Sequence, residues 1–142
     1  MKPVSVLLAK NPLPLCSVSP DETVFSALQL LAQREVGALV VMEEDVLVGV
    51  MSERDYTRKV ALQGKSSKDT LVRSIMTPNV LVVTPQTGTR MCMAIMREKK
   101  IRHLPVVDGT RVVGMISIRD IMDDLIEEHE FTISQLESYI NS

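Results

Sequence analysis

The chain has 142 residues, 45% of them hydrophobic and 24% charged, a balance that excludes gross disorder and allows one domain with its own core. Sixteen Lys and Arg stand against eighteen Asp and Glu for a formal charge of -2, and aromatic residues make up 3% with no Trp. Such a surface is not built mainly to hold nucleic acid or an anionic membrane, and platforms for base stacking are scarce.

The start of the chain, Met1 to Lys10, holds an apolar stretch of about six residues, short of the roughly 7–15 of a secretory signal. Leu13-Pro14-Leu15-Cys16 lacks the small residue that a lipoprotein processing site places before its cysteine. No apolar run approaches the ~20 residues of a membrane-spanning helix. Cys16 and Cys92 are the only cysteines, so no disulfide framework is implied. Two free thiols point to a reducing, cytoplasmic setting, where they act as small buried hydrophobes.

Leu15–Val18 is expected to open the fold as a short strand. Thr23–Arg34 follows as a helix, with Val24, Ala27, Leu28 and Leu31 at helical spacing behind Pro20. Ala38–Met42 and Val46–Met51 read as a strand pair around the turn Glu43-Glu44-Asp45. Ser52 opens a helix through Leu62. Residues 63–71, polar and containing Gly64, read as a linker. The same series then returns: strand Val80–Val83, helix Arg90–Lys99, strand His103–Val107, turn Asp108-Gly109-Thr110, strand Arg111–Ile116, and a helix from Ser117 to about Glu128. Residues 129–142 form a tail with Ile133, Leu136 and Ile140 at helical spacing, an amphipathic turn or two that packs on its own domain or on a second subunit.

The recurrence is an internal repeat. A shift of 65 residues sets Val18, Pro20, Leu39, Val41, Val48, Gly49, Ser52, Arg54 and Asp55 on Val83, Pro85, Leu104, Val106, Val113, Gly114, Ser117, Arg119 and Asp120. The chain is therefore α/β (α+β-like), two βαββα units related by a pseudo-twofold, over 4–62 and 72–128.

Each unit carries Gly-x-x-Ser-x-x-Asp at the end of its last strand. The spacing fits a capping box, in which serine and aspartate satisfy the first amides of a helix and no ligand is needed. It also fits a sugar-phosphate site. Serine and free amides would meet the phosphate, the aspartate one turn on would accept from a vicinal diol, and the glycine would let the backbone come close. One serine can do both.

With these residues the chain resembles a CBS-domain pair, or Bateman module. The likeness rests on the doubled motif, Ile75-Met76-Thr77 and Leu104-Pro105-Val106-Val107-Asp108, and the tail also looks like that of small stand-alone CBS-pair proteins. The resemblance implies two clefts between the repeats, each able to take AMP, ADP, ATP, NAD(H) or S-adenosylmethionine. It places Ser117 and Asp120 on phosphate and ribose in one cleft, with Gly37 and Ala38 as the wall facing adenine. It places Ser52 and Asp55 in the other, with Thr77 at its edge. Arg102 and His103 match a basic pair that touches phosphates in the nucleotide-sensing subunit of the AMP-activated kinase. The first repeat has Gly37-Ala38 where the second has Arg102-His103 and lacks the Ile-Met-Thr opening, so the clefts should differ in charge and affinity. Arg54 and Arg119 recur in phase and reach either phosphate or solvent.

The function so implied is a non-catalytic regulatory module that binds an adenosine nucleotide, AMP foremost, and signals by a population shift to a target protein, with neither nucleic acid nor membrane as a partner. A homodimer is part of the same expectation. The alternative is an interaction or redox-regulatory scaffold with vestigial clefts. The methionines at helical spacing read as core rather than a soft-metal site, and His103 and His129 are too far apart in sequence for zinc.

Overall fold

The computed structural model describes residues 2–10 and 14–141. Leu13 of the Leu13-Pro14-Leu15-Cys16 stretch, with Met1 and Ser142, lies outside the described residues. Helix α1 (Val4–Lys10) is followed by β1 (Ser17–Val18), α2 (Val24–Arg34), β2 (Ala38–Glu43) and β3 (Val46–Ser52). Next come α3 (Glu53–Tyr56), continued by a π-helical turn over Thr57–Ala61, and α4 (Val72–Ile75). The second repeat adds α5 (Thr89–Lys99), β4 (His103–Asp108), β5 (Arg111–Ser117) and α6 (Ile118–Asn141).

The first sheet runs β1-β2-β3, with β1 parallel and β3 antiparallel to β2. Helix α2 starts at Thr23, whose hydroxyl accepts from the Ser26 amide at 3.1 Å, and ends at Glu35 in the left-handed conformation. Its inward face buries Val24, Ala27 and Leu31 against Leu39, Val41 and Met51. In the second repeat Cys92 and Met96 of α5 take that role against Leu104, Val106 and Ile116, whereas Met91 is exposed. The turns are two-residue loops. Glu44 and Asp45 both have positive φ between Glu43 and Val46, and Gly109 has φ 65° between Asp108 and Arg111.

The strand expected over Val80–Val83 contracts to a single bridge, Val83 to Val106, the counterpart of Val18 to Val41. The cause is Pro105. In the first repeat the Val40 amide donates to the Cys16 carbonyl at 3.2 Å. Pro105 stands at the position of Val40 and has no N–H to offer Leu81, so the ladder stops. The helix expected from Ser52 to Leu62 changes to π geometry after Tyr56, where Leu62 N donates to Thr57 O five residues back. The tail is not a separate turn or two: α6 is one helix of 24 residues.

The cores exchange segments. Val4 and Leu7 of α1 are buried with the second repeat, and Val72 and Ile75 of α4 are buried with the first. The docking is equivalent. Val4 N and Ser5 N donate to Thr87 O and Pro85 O; Val72 N and Arg73 N donate to Glu22 O and Pro20 O. The linker is docked as well, because the Ser67 and Thr70 carbonyls accept from Phe25 N and Val24 N. Each crossing segment lies over a strand glycine. A Cβ at Gly49 would sit 2.8 Å from the Thr77 carbonyl oxygen, and one at Gly114 would sit 3.0 Å from Leu8 Cδ2. These glycines make room for chain crossings, which corrects their expected role of admitting a ligand.

Candidate functional site

A cavity of about 630 Å³ lies between the repeats, within the range of small-molecule sites. The first repeat contributes Gly37, Ser52, Asp55 and the cations Arg54, Arg58 and Lys59. Thr77, Asn79, Val80 and Leu81 border it, and the second repeat adds Lys99, Ile101, Arg102 and His103. A depression of similar volume at the β2–β3 turn is lined by Asp21, Glu43 and Glu44 instead. In a chain of formal charge -2, only the first of these is rimmed by cations.

Ser52 and Asp55 form a complete capping box. Ser52 N donates to Asp55 Oδ2 at 2.9 Å, the Ser52 hydroxyl donates to the same oxygen at 3.1 Å, and Asp55 N donates to Ser52 Oγ at 3.1 Å. Lys59 Nζ lies 3.2 Å from Asp55 Oδ1 and donates to the Ile75 carbonyl at 2.9 Å. A carboxylate has about four acceptor positions, so Asp55, which lines the cavity, keeps acceptor capacity beyond these bonds. Thr77 is fixed at the edge by two backbone bonds with Val50, at 2.8 and 3.0 Å.

Ser117 and Asp120 form the matching pair, with Ser117 N on Asp120 Oδ2 at 2.9 Å and Asp120 N on Ser117 Oγ at 3.1 Å. They do not line this cavity. Gly37, expected beside them, lines it with Ser52 and Asp55 instead, while Ala38 is buried in β2 opposite Ser52. Arg102 and His103 do reach the cavity. A Cβ at Gly37 would stand 3.4 Å from His103 Nε2, so the two repeats touch there. Burial pushes the His103 imidazole below its usual range; the Asp120 carboxylate opposes this and Arg102 reinforces it. The cation of that pair at neutral pH is therefore Arg102. Arg54 does not point to a free phosphate position: its Nη1 donates to the Lys100 carbonyl at the end of α5, at 2.9 Å, tying the repeats together.

Lys59 and Arg58 were not singled out by motif. Their signal was present as a mismatch in the repeat, where Asp124 and Asp123 stand at the corresponding positions. Among the described residues no cluster of three metal-ligating side chains occurs, and no helix is long and apolar enough to cross a membrane.

Comparison with known proteins identifies the fold. The chain matches the CBS domain family over residues 7–62 and 72–127. It is 41% identical over 125 residues to the mitochondrial CBS domain-containing protein CBSX3 of Arabidopsis thaliana, covering 84% of this chain and 61% of that protein. It is thus shorter than that relative. A CBS-domain protein of Burkholderia ambifaria has a solved structure with a TM-score of 0.83 and 42% identity, covering 87% of this chain and 93% of that one. A CBS domain protein of Pyrobaculum aerophilum, solved in complex with AMP, has a TM-score of 0.74 and 30% identity, covering 83% and 88%. The mitochondrial relative overturns the cytoplasmic assignment drawn from the free thiols. Reduced cysteines mark a reducing environment and do not name the compartment. With both repeats matched and the fold in place, the chain belongs to the CBS domain family, as a tandem pair of the non-catalytic, regulatory kind.

Proposed function

We propose that the chain binds a phosphate-bearing adenosine compound, AMP first and ATP or NAD next, in the cavity at Ser52 and Asp55, and passes its occupancy to a target protein. The observation that carries this is the lining: Arg58, Lys59, Lys99 and Arg102 share the cavity with the Ser52–Asp55 pair, and Glu53 is the one other acid there. Cations suit phosphate oxygens, with Arg able to bind them bidentately. The remaining acceptor capacity of Asp55 suits a ribose diol. The same lining disfavours S-adenosylmethionine, whose sulfonium is positive and which lacks phosphate. At the corresponding positions the Ser117–Asp120 pair has Asp123, Asp124 and Gly37 in place of Arg58, Lys59 and Arg102, so it is the weaker phosphate site. The AMP complex of the Pyrobaculum aerophilum relative supports the ligand class.

Because the lining comes from both repeats, a ligand bridging them favours one relative arrangement over others. Thermal-shift titration with AMP, ATP, NADH and S-adenosylmethionine tests this. A ligand at about 100 times its dissociation constant adds about 2.7 kcal/mol of apparent stability. Asp55→Ala and Arg102→Ala should remove the ligand-induced increment, and Asp120→Ala should keep most of it. The increment is the readout, since Asp55→Ala also costs about 1 kcal/mol of helix capping. No shift with any of the four compounds leaves a scaffold with vestigial clefts.

A further inference from the structure

The distal part of α6 leaves both cores: residues 129–141 are exposed throughout. Apart from Phe131 and Tyr139, its exposed apolar residues follow a rule. Met122, Ile126, His129, Ile133, Leu136 and Ile140 recur at steps of four, three, four, three and four. That 3.5-residue period is the period of a coiled-coil seam. The five apolar members are 53–77% exposed. The inward face of α6 is a different one, made by Ile121 and Leu125 against the second core.

We propose that this seam pairs in parallel with the same seam of a second copy of this chain, as a short two-stranded coiled coil. The heptad phase sets Ile126, Ile133 and Ile140 at a, and Met122, His129 and Leu136 at d. Isoleucine at a with leucine at d favours two parallel strands, the combination found at Ile133 and Leu136. Charge selects the same direction. The e row is Asp123, Glu130 and Glu137. An antiparallel copy would set this row against itself, at a cost in like-charge repulsion. A parallel copy sets Glu130 and Glu137 opposite Leu125 and Thr132 of the second chain. His129 is the single polar member of the seam and fixes its register, as one polar core position does in other coiled coils. The pairing is independent of the nucleotide site.

Sedimentation velocity of the full chain, with Ile133→Asp and Leu136→Asp, tests the surface. The wild type should form a concentration-dependent dimer, and each variant should weaken it by roughly a hundredfold, as expected for burying a charge in an apolar seam. Both positions are exposed, so circular dichroism should show an unchanged fold. Leu136→Cys, in a chain with Cys16→Ser and Cys92→Ala, should cross-link to itself on mild oxidation, which parallel pairing requires. A monomer at all concentrations overturns the proposal. So does a dimer that both aspartate variants leave intact, or one in which Leu136→Cys fails to cross-link.

Discussion

Lys59 and Asp124 occupy the same position of the two repeats and carry opposite charges. Lys59 sits 3.2 Å from Asp55 at the edge of the cavity. Asp124 is 4% exposed and receives Lys10 Nζ at 2.7 Å and Lys2 Nζ at 2.8 Å. The inversion turns one position into part of an anion rim and its counterpart into the anchor of α1. Lys10 also reaches Glu127 at 2.9 Å, so α1 is clasped to α6 by charge as well as by Val4 and Leu7.

Asp124→Asn should loosen that clasp. Burial by itself would raise the Asp124 carboxyl, but the hydrogen bonds from Lys10 and Lys2 outweigh it and hold the group below the usual carboxylate range. A depressed folded value stabilises above the ordinary carboxylate pKa, and the stability is lost as pH falls through the folded value. Asp124→Asn should therefore cost about 1–3 kcal/mol at pH 7 in urea unfolding. The loss should shrink as the wild type is acidified below about pH 4. An undiminished difference at pH 3 would show that the carboxylate charge is not what holds α1.

How far this clasp was legible in the sequence has a physical answer. The 65-residue shift finds the strands and the two serine–aspartate pairs, because those elements keep one spacing. The α1 and α4 segments do not: the bridges Pro3 to Gly88 and Leu71 to Thr23 relate them by 68 residues. A gapless comparison therefore left the start of the chain as an apolar stretch, although Leu8 and Met76 lie over equivalent glycines. The capping boxes were legible from local chemistry alone. The cavity was not, because its cations are brought together from α3, the π turn, α5 and the bend before β4. The loss of β-structure at Val80–Val83 was encoded in Pro105, but only the Val40–Cys16 hydrogen bond of the other repeat shows which partner it lacks.

The two crossing glycines should respond unequally to alanine. At Gly49 the new Cβ meets backbone, the Thr77 carbonyl oxygen at 2.8 Å, as well as Met76 Sδ at 2.9 Å. Thr77 is bonded to Val50 on both sides and cannot withdraw without breaking that bridge. At Gly114 the nearest atom is Leu8 Cδ2 at 3.0 Å, the end of a side chain that can turn. Gly49→Ala should cost about 1–3 kcal/mol in urea unfolding and Gly114→Ala less than about 1. Gly49→Ala should also weaken nucleotide binding, since Thr77 borders the cavity. Equal costs at the two sites would mean that the α4 crossing is as pliable as Leu8.

His103 sets an acid limit on the fold. Burial lowers its imidazole, the Asp120 carboxylate raises it in part, and Arg102 lowers it again. With a folded value below the ordinary one of about 6.5, the unfolded chain takes up the proton first as pH falls. The imidazole's contribution is then present above about pH 6.5 and is lost as pH drops through the folded value. Wild-type stability should decline across that interval, and His103→Gln, which keeps a polar group beside Gly37 and cannot titrate, should decline less. Nucleotide affinity should stay level from pH 8 to about 7, because the imidazole is mostly neutral there and Arg102 carries the charge. Proton NMR of the imidazole decides the matter: a midpoint at or above the ordinary value in the folded protein would place a second cation at the cavity and reverse the sign of the pH dependence.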